Sequence, residues 1–85
     1  MGKIDIQSIS DRCEKATSGP WISYIEGRDF SSGSSFIQTA GEDIELSGAT
    51  DEDQDFIASC RQDIPRLIEE ITRLRKILDE NEIDY

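Results

Sequence analysis

The residues best suited to ligand chemistry lie in the segment Ala16-Thr17-Ser18-Gly19-Pro20-Trp21. Pro20 restricts the backbone directly before Trp21 and so holds the indole in a stiff position. The hydroxyls of Thr17 and Ser18 and nearby backbone N–H groups stand beside it. Such a corner can stack a nucleotide base and hydrogen-bond a phosphate. A tryptophan at this place can equally fill the core where a helix meets a sheet, and the residues alone leave both interpretations open.

Other site chemistries lack the residues they need. The chain has no histidine, and Cys13 and Cys60 have neither CxxC spacing nor a histidine partner. Zinc binding and cysteine nucleophiles are therefore not supported. Asp51-x-Asp53-x-Asp55 resembles the start of an EF-hand loop, but Phe56 stands where that loop needs glycine and Gln62 where it needs glutamate. We expect no catalytic residues, no metal and no cofactor, and hence no enzyme.

Composition limits the partners. The chain has 85 residues and a net charge of −10, from nineteen acids and nine bases. That charge excludes general binding to a nucleic acid polymer or an anionic membrane. No apolar run approaches the roughly 18 residues of a membrane span, so we expect a cytoplasmic protein. A hydrophobic content of 35% is low for a small chain that builds its core alone, which favours oligomers.

The elements that must position these residues follow from periodicity and turn signals. Apolar residues at steps of three and four predict an N-terminal helix between Ile4 and Ala16. Strand formers separated by glycine-containing turns predict a three-stranded antiparallel sheet, with strands at residues 21–25, 34–40 and 44–46. A short helix over residues 53–61 should be capped by Thr50 or Asp51, and a long helix from Asp63 to Glu80 should begin with Pro65 in its first turn. The predicted fold class is α+β, in a single domain of residues 1–85.

The long C-terminal helix carries the a/d spacing of a coiled-coil seam. Its seam residues are Ile64, Leu67, Ile71, Leu74 and Leu78. A stripe this broad must be buried, and a chain of this size has little other surface to cover it. We therefore interpret residues 63–80 as an oligomerisation helix that forms a dimer or tetramer, and residues 1–62 as the ligand-binding part.

Two motifs also carry a family resemblance. They are Ala16-Thr17-x-Gly19-Pro20-Trp21 near the start, and Asp55-Phe56-Ile57-Ala58 followed by Arg61-x-Asp63-Ile64-Pro65-x-Leu67. In this order they resemble a group of small phage and prophage proteins, the ead-like early-region proteins of lambdoid phages. The resemblance spans roughly residues 9 to 78, and this chain has Ser18 where the family usually shows proline.

The resemblance implies a function. It links the chain to anti-defence proteins of the anti-CBASS type, small oligomers that bind cyclic nucleotide immune signals without cleaving them. It points to Thr17 and Trp21 from the first motif and Arg61 from the second as ligand-binding residues, with Arg12 and Arg28 as the other available cations. The implied function is sequestration of a cyclic dinucleotide of the cyclic GMP–AMP class in the cytoplasm of an infected bacterium. The alternative is an acidic inhibitor that binds a host protein and no small molecule, based on the seven acids between Glu42 and Asp55.

Overall fold

A computed structural model describes residues 4–84 of the chain, so the outermost ends of the predicted domain 1–85 lie outside it. The elements are, in chain order, helix α1 (Ile6–Lys15), strand β1 (Ile22–Tyr24), strand β2 (Phe36–Gln38) and helix α2 (Asp51–Glu80). The predicted α+β class is confirmed. The part of the chain that the structure describes contains no helix long and apolar enough to cross a membrane.

Helix α1 begins and ends where its local sequence dictates. The carboxylate of Asp5 accepts a hydrogen bond from the Ser8 N–H at 3.0 Å and caps the first turn. The backbone turns extended at Ala16, ahead of Gly19 and Pro20. The residues at the predicted apolar positions are half-buried, namely Ile6, Ile9, Cys13 and Ala16. The face that packs on α2 is therefore the one that the periodicity predicts.

The sheet is smaller than predicted. Strands β1 and β2 pair antiparallel, with Ser23 opposite Ile37. The expected third strand is reduced to one bridge, in which Ile37 and Ile44 exchange backbone hydrogen bonds of 2.8 and 2.9 Å. The prediction of three strands is not confirmed, because the chain turns away after this bridge. Gly48, with a φ of +81°, turns the chain shortly before α2 begins, which leaves little length for strand pairing.

The two predicted C-terminal helices are one continuous helix of 30 residues. Thr50 caps it, as expected for the shorter helix: its Oγ1 accepts from the Asp53 N–H at 3.0 Å, and the Asp53 carboxylate accepts from the Thr50 N–H at 3.1 Å. The expectation that a second helix begins at Asp63 is wrong. Pro65 lies inside the helix, where it lacks the N–H that would bond the Arg61 carbonyl. Tertiary contacts on both sides of Pro65 keep the helix continuous.

The hairpin packs on the N-terminal half of α2, and α1 packs farther along it. The fully buried apolar residues are few: Ile25, Ile37 and Ala58 among the described ones. The hairpin adds an aromatic stack of Tyr24 on Phe36, with ring centroids 5.2 Å apart. The result is an elongated molecule, with extents of 57 × 22 × 19 Å.

Candidate binding groove

Trp21 is held by its backbone. The Trp21 N–H donates to Oε1 of Gln62 at 2.7 Å, and the Trp21 carbonyl accepts from Nε2 of Gln62 at 3.1 Å. The same amide nitrogen also donates to the Ala58 carbonyl at 3.1 Å. One side chain of α2 therefore satisfies both main-chain groups of the residue that opens the hairpin. These bonds fix the main chain of Trp21 relative to the helix, and the indole ring takes no part in them.

The backbone carbonyl of Thr17 joins the three residues that the resemblance singles out. It accepts hydrogen bonds from the indole Nε1–H of Trp21 at 2.9 Å and from Nε–H of Arg61 at 3.0 Å. Thr17, Trp21 and Arg61 are thus neighbours in space, although 44 residues separate the first from the last. The contact is made by the Thr17 carbonyl rather than by its hydroxyl, so the hydroxyl has no part in this junction.

Gly19 makes this close packing possible. A Cβ atom at position 19 would lie 3.3 Å from Cγ of Arg61 and 3.3 Å from Oε1 of Gln62, which is tighter than ordinary carbon contacts. The following peptide bond to Pro20 is cis. The absence of a side chain at Gly19 therefore lets the segment before Trp21 pack closely against Arg61 and Gln62 of α2.

Beside this junction lies an open groove of about 330 Å³. Its walls are the apolar face of α1, the indole of Trp21 and one face of α2. The lining is mostly apolar and comprises Ile9, Cys13, Ala16, Ile57, Cys60 and Ile64, together with two guanidinium groups. These belong to Arg12 on α1 and Arg61 on α2. The groove thus combines an aromatic ring, an apolar floor and two positive charges.

Neither guanidinium group is neutralised by a carboxylate. Nη1 of Arg12 donates to the hydroxyl of Ser8 at 2.9 Å, and Arg61 donates to the Thr17 carbonyl. Arg28 and Arg73 form ion pairs, whereas none to Arg12 or Arg61 is found within residues 4–84. Arg12 and Arg61 thus bring two positive charges to this groove in a chain with a net charge of −10, and Arg61 also lines a neighbouring cavity together with Glu14 and Glu69.

Arg28 does not join this groove. Its guanidinium binds Asp55 at 2.8 and 3.0 Å and Asp29 at 2.9 and 3.1 Å, all on the hairpin side of the molecule. The bonds to Asp55 and then Asp29 raise the pKa of Arg28 further above its usual range. Hydrogen bonds from Arg28 and then Ser23 lower the pKa of Asp55 to about 2. The pKa of Asp29 is lowered by Arg28 and by the Ile25 N–H. Arg28 therefore ties the hairpin loop to α2. Of the other predicted ligand-binding residues, Arg12, Trp21 and Arg61 line the groove, and Thr17 touches Trp21 and Arg61 through its backbone carbonyl without lining it.

Two glutamines that the sequence analysis did not select organise this site. Gln54 is buried, and its Nε2 donates to the Ser23 hydroxyl and to the carbonyls of Tyr24 and Phe36 at 2.9 to 3.2 Å. Gln62 lies two turns later and holds Trp21. Ala58 lies between them, so one face of α2 reads Gln, Ala, Gln at steps of four. Residues four apart lie on one face of a helix, so this spacing places a small side chain between two amides. The pattern is consistent with close packing of the hairpin backbone against α2.

The residues predicted to form the oligomerisation seam divide into two groups. Ile64, Ile71 and Leu78 are half-buried, while Leu67 and Leu74 remain exposed. Helix α1 covers one side of the predicted stripe, and the other side is bare. Within the described range of residues 4–84, no group of acids or cysteines is placed to hold a metal ion.

These features define a small α+β domain in which a hairpin and a short helix are both anchored on one long helix. Comparisons with protein-family models, with curated proteins and with solved structures find no match to this chain.

Proposed function

We propose that this chain is a noncatalytic binding protein that sequesters a cyclic dinucleotide of the cyclic GMP–AMP class. The observation that carries the proposal is the meeting of Trp21, Arg12 and Arg61 on one apolar groove, with neither arginine paired to a carboxylate. In the setting that the family resemblance implies, the chain is an anti-defence protein of an ead-like phage group that acts in the cytoplasm of the infected cell.

The groove matches the chemistry of such a ligand. A purine base presents a flat π-face that stacks on an indole, and each phosphodiester presents an anion that two guanidinium groups can bind. The apolar floor formed by Ile9, Ala16 and Ile57 suits the faces of the bases. At about 330 Å³ the groove is at the small end of ligand sites, which run from about 300 to 1,000 Å³. One copy therefore accommodates part of a dinucleotide, in keeping with a homo-oligomeric sponge.

The lining of the groove supports binding rather than cleavage. The lining has no carboxylate, and the chain has no histidine. Hydrolysis of a phosphodiester needs a base to activate water or a metal to do so, and these side chains supply neither. The thiols of Cys13 and Cys60 lie among the apolar side chains of the same groove, whose lining contains no carboxylate and no histidine.

A second candidate function follows from the acidic surface. Glu42, Asp43, Glu45, Asp51 and Glu52 are exposed and have no basic partner within residues 4–84. Such a surface fits a basic patch on a host protein, which would make the chain an inhibitor of that protein. It competes with the sponge proposal, since it requires no small-molecule ligand.

Titration calorimetry with cyclic GMP–AMP, and with the corresponding linear dinucleotide as control, tests the proposal. We expect binding of the cyclic form and, after heat denaturation of the complex, chromatographic recovery of intact ligand. The absence of binding at tens of micromolar, or recovery of a hydrolysed product, would reject sequestration and favour the protein-inhibitor function.

A further inference from the structure

Helix α2 carries an apolar stripe that the rest of the chain leaves uncovered. Phe56 is 70% exposed, Leu67 58% and Leu74 45%, and Ile57 and Ile77 are also exposed. Leu67 and Leu74 are seven residues apart and lie on the side of α2 turned away from α1. Together these five residues, hereafter the α2 stripe, form the largest run of exposed apolar side chains on this helix. A run of this kind on a small chain marks an interaction surface.

The size of the exposed surface also indicates a missing partner. The chain exposes 6472 Å², whereas a compact monomer of 9.6 kDa exposes about 5,100 Å². Its radius of gyration is 17.0 Å, against about 12 Å for a compact domain of this length. The excess of roughly 1,400 Å² follows from the elongated shape of the chain, which leaves room on α2 for a surface of the roughly 800 Å² that each partner of a stable complex buries.

The spacing of the apolar residues on α2 indicates that the partner is a second copy of this chain. The apolar residues of α2 occupy two heptad series, 57, 64, 71 and 78, and 60, 67 and 74. Six of these seven positions are symmetric about the point between Pro65 and Arg66, and the seventh, Leu78, falls opposite Asp53. An antiparallel copy then places residue 57 against 74, 60 against 71, and 64 against 67. Phe56 comes beside Ile77 of the second copy. Every exposed member of the stripe thus receives an apolar neighbour.

The helix dipoles favour the antiparallel orientation over the parallel one. Asp51, Glu52, Asp53 and Asp55 lie in the first turns of α2. Parallel copies would bring these two acidic ends together, with the helix dipoles also aligned. Antiparallel copies separate the two acidic N-terminal ends by about 37 Å at 1.5 Å per residue. The same register brings Asp51 and Glu52 to the level of Glu80 and Asp79 of the second copy, so the opposed helix dipoles, and not the carboxylates, favour this orientation.

We propose that two copies of this chain pair antiparallel along the α2 stripe, and that the helix of the second copy forms the missing wall of the groove. The groove and the paired series share Ile57, Cys60 and Ile64. Leu67 and Leu74 of the second copy therefore lie beside the open side of the groove, opposite α1. The identity of the molecule that the closed groove holds rests on the function proposed above.

The mass in solution tests the pairing. We expect the wild-type chain to have a light-scattering mass of about 19 kDa, twice the 9.6 kDa of one copy. Leu67→Asp should lower it to the monomer mass, because it places a charge against Ile64 of the second copy. Leu67 is exposed within one copy, so the fold should persist, with an unchanged circular-dichroism spectrum. Ile83→Asp is the matched control, since Ile83 is exposed beyond the end of α2, and it should leave the dimer intact. A monomeric wild-type chain would overturn the proposal.

Disulfide crosslinking tests the orientation. In a Cys13→Ala background, the added substitution Ile71→Cys places a thiol opposite Cys60 of the second copy, and a disulfide needs Cα atoms within about 7 Å. We expect covalent dimer on mild oxidation with Ile71→Cys and none in the background alone. Covalent dimer in the background alone would mean that the two Cys60 residues face each other, as in a parallel pair, and would overturn the antiparallel arrangement.

Quenching of Trp21, the single tryptophan of the chain, tests closure of the groove without any nucleotide. We expect acrylamide to quench Trp21 about twofold more strongly in Leu67→Asp than in the wild type, because neighbouring contacts exclude solvent from the closed site. Equal quenching would show that the second copy does not wall the groove. Because the quenching measurement uses no ligand, its outcome does not depend on whether the chain binds cyclic GMP–AMP. Where that binding holds, Leu67→Asp should also weaken it.

Discussion

The side-chain amide of Gln62 pairs with both main-chain groups of Trp21, accepting from its N–H at 2.7 Å and donating to its carbonyl at 3.1 Å. This pair spans 41 residues and connects the start of the hairpin to the middle of α2. The position of the Trp21 indole at the groove depends on it. Stability and ligand binding are therefore expected to be linked through Gln62.

Gln62→Ala should lower the free energy of unfolding by about 1–3 kcal/mol, because it leaves a partly buried Trp21 N–H without its acceptor. Urea denaturation measures this change. Gln7→Ala is the matched control: Gln7 is exposed and bonds only Asp11, so its loss should change stability by less than about 0.5 kcal/mol. Equal effects of the two substitutions would contradict the anchoring role of Gln62.

Arg12→Ala should weaken binding of cyclic GMP–AMP by about tenfold to a hundredfold, since a charge-assisted hydrogen bond contributes about 1.5–3 kcal/mol. Arg28→Ala makes the same chemical change away from the groove and should leave the affinity unaltered. Titration calorimetry on both variants gives the comparison. Arg12 is preferred to Arg61 for this test because Arg61 also bonds the Thr17 carbonyl. A loss of affinity in Arg28→Ala alone would move the ligand site to the hairpin side.

Asp55→Asn should remove an acid-sensitive contribution to stability. The pKa of Asp55 is about 2 in the folded chain, below its usual value near 3.9, so folding favours the carboxylate. The stabilisation is complete above pH 4 or so and is lost as the pH falls through about 2. The difference in melting temperature between the wild type and Asp55→Asn should therefore narrow between about pH 5 and pH 2.

Asp63→Asn is the control for this titration, because Asp63 is exposed and has no ion pair among the described residues. The difference in melting temperature between Asp63→Asn and the wild type should stay constant over the same pH range. A difference for Asp55→Asn that is constant with pH would contradict a stabilising Arg28–Asp55 pair.

Thr50→Ala should lower the free energy of unfolding by about 0.5–2 kcal/mol, since Thr50 forms both halves of the capping box with Asp53. Thr72→Ala, in the exposed middle of α2, removes a threonine without removing a cap. It should be neutral or slightly stabilising, because alanine favours the helix. Chemical denaturation of the two variants separates capping from helix propensity, and an unchanged stability in Thr50→Ala would show that α2 does not depend on its cap.

Local patterns in the sequence were enough to predict much of the fold. The steps of three and four in Ile6, Ile9 and Cys13 predicted the packed face of α1, and Thr50 was correctly among the expected caps. These features depend on residues within one or two turns of each other, so their physical cause is present in any short segment. The residues at positions 16–21 also held enough information to place an aromatic corner after α1.

Long-range contacts decided the rest. Pro65 locally favours a helix start, yet α2 runs through it. The hairpin bonds Gln54 and Gln62 before that residue, and the Ile4 carbonyl bonds Arg75 after it, so tertiary contacts hold the helix on both sides. Ile44 to Leu46 has the alternation of a strand, but only Ile44 finds a partner before the chain turns into α2. The groove itself depends on the Thr17 carbonyl meeting Arg61 and on Gln62 meeting Trp21. Those bonds join residues more than 40 positions apart, and no local pattern specifies which distant amide or carbonyl will be satisfied.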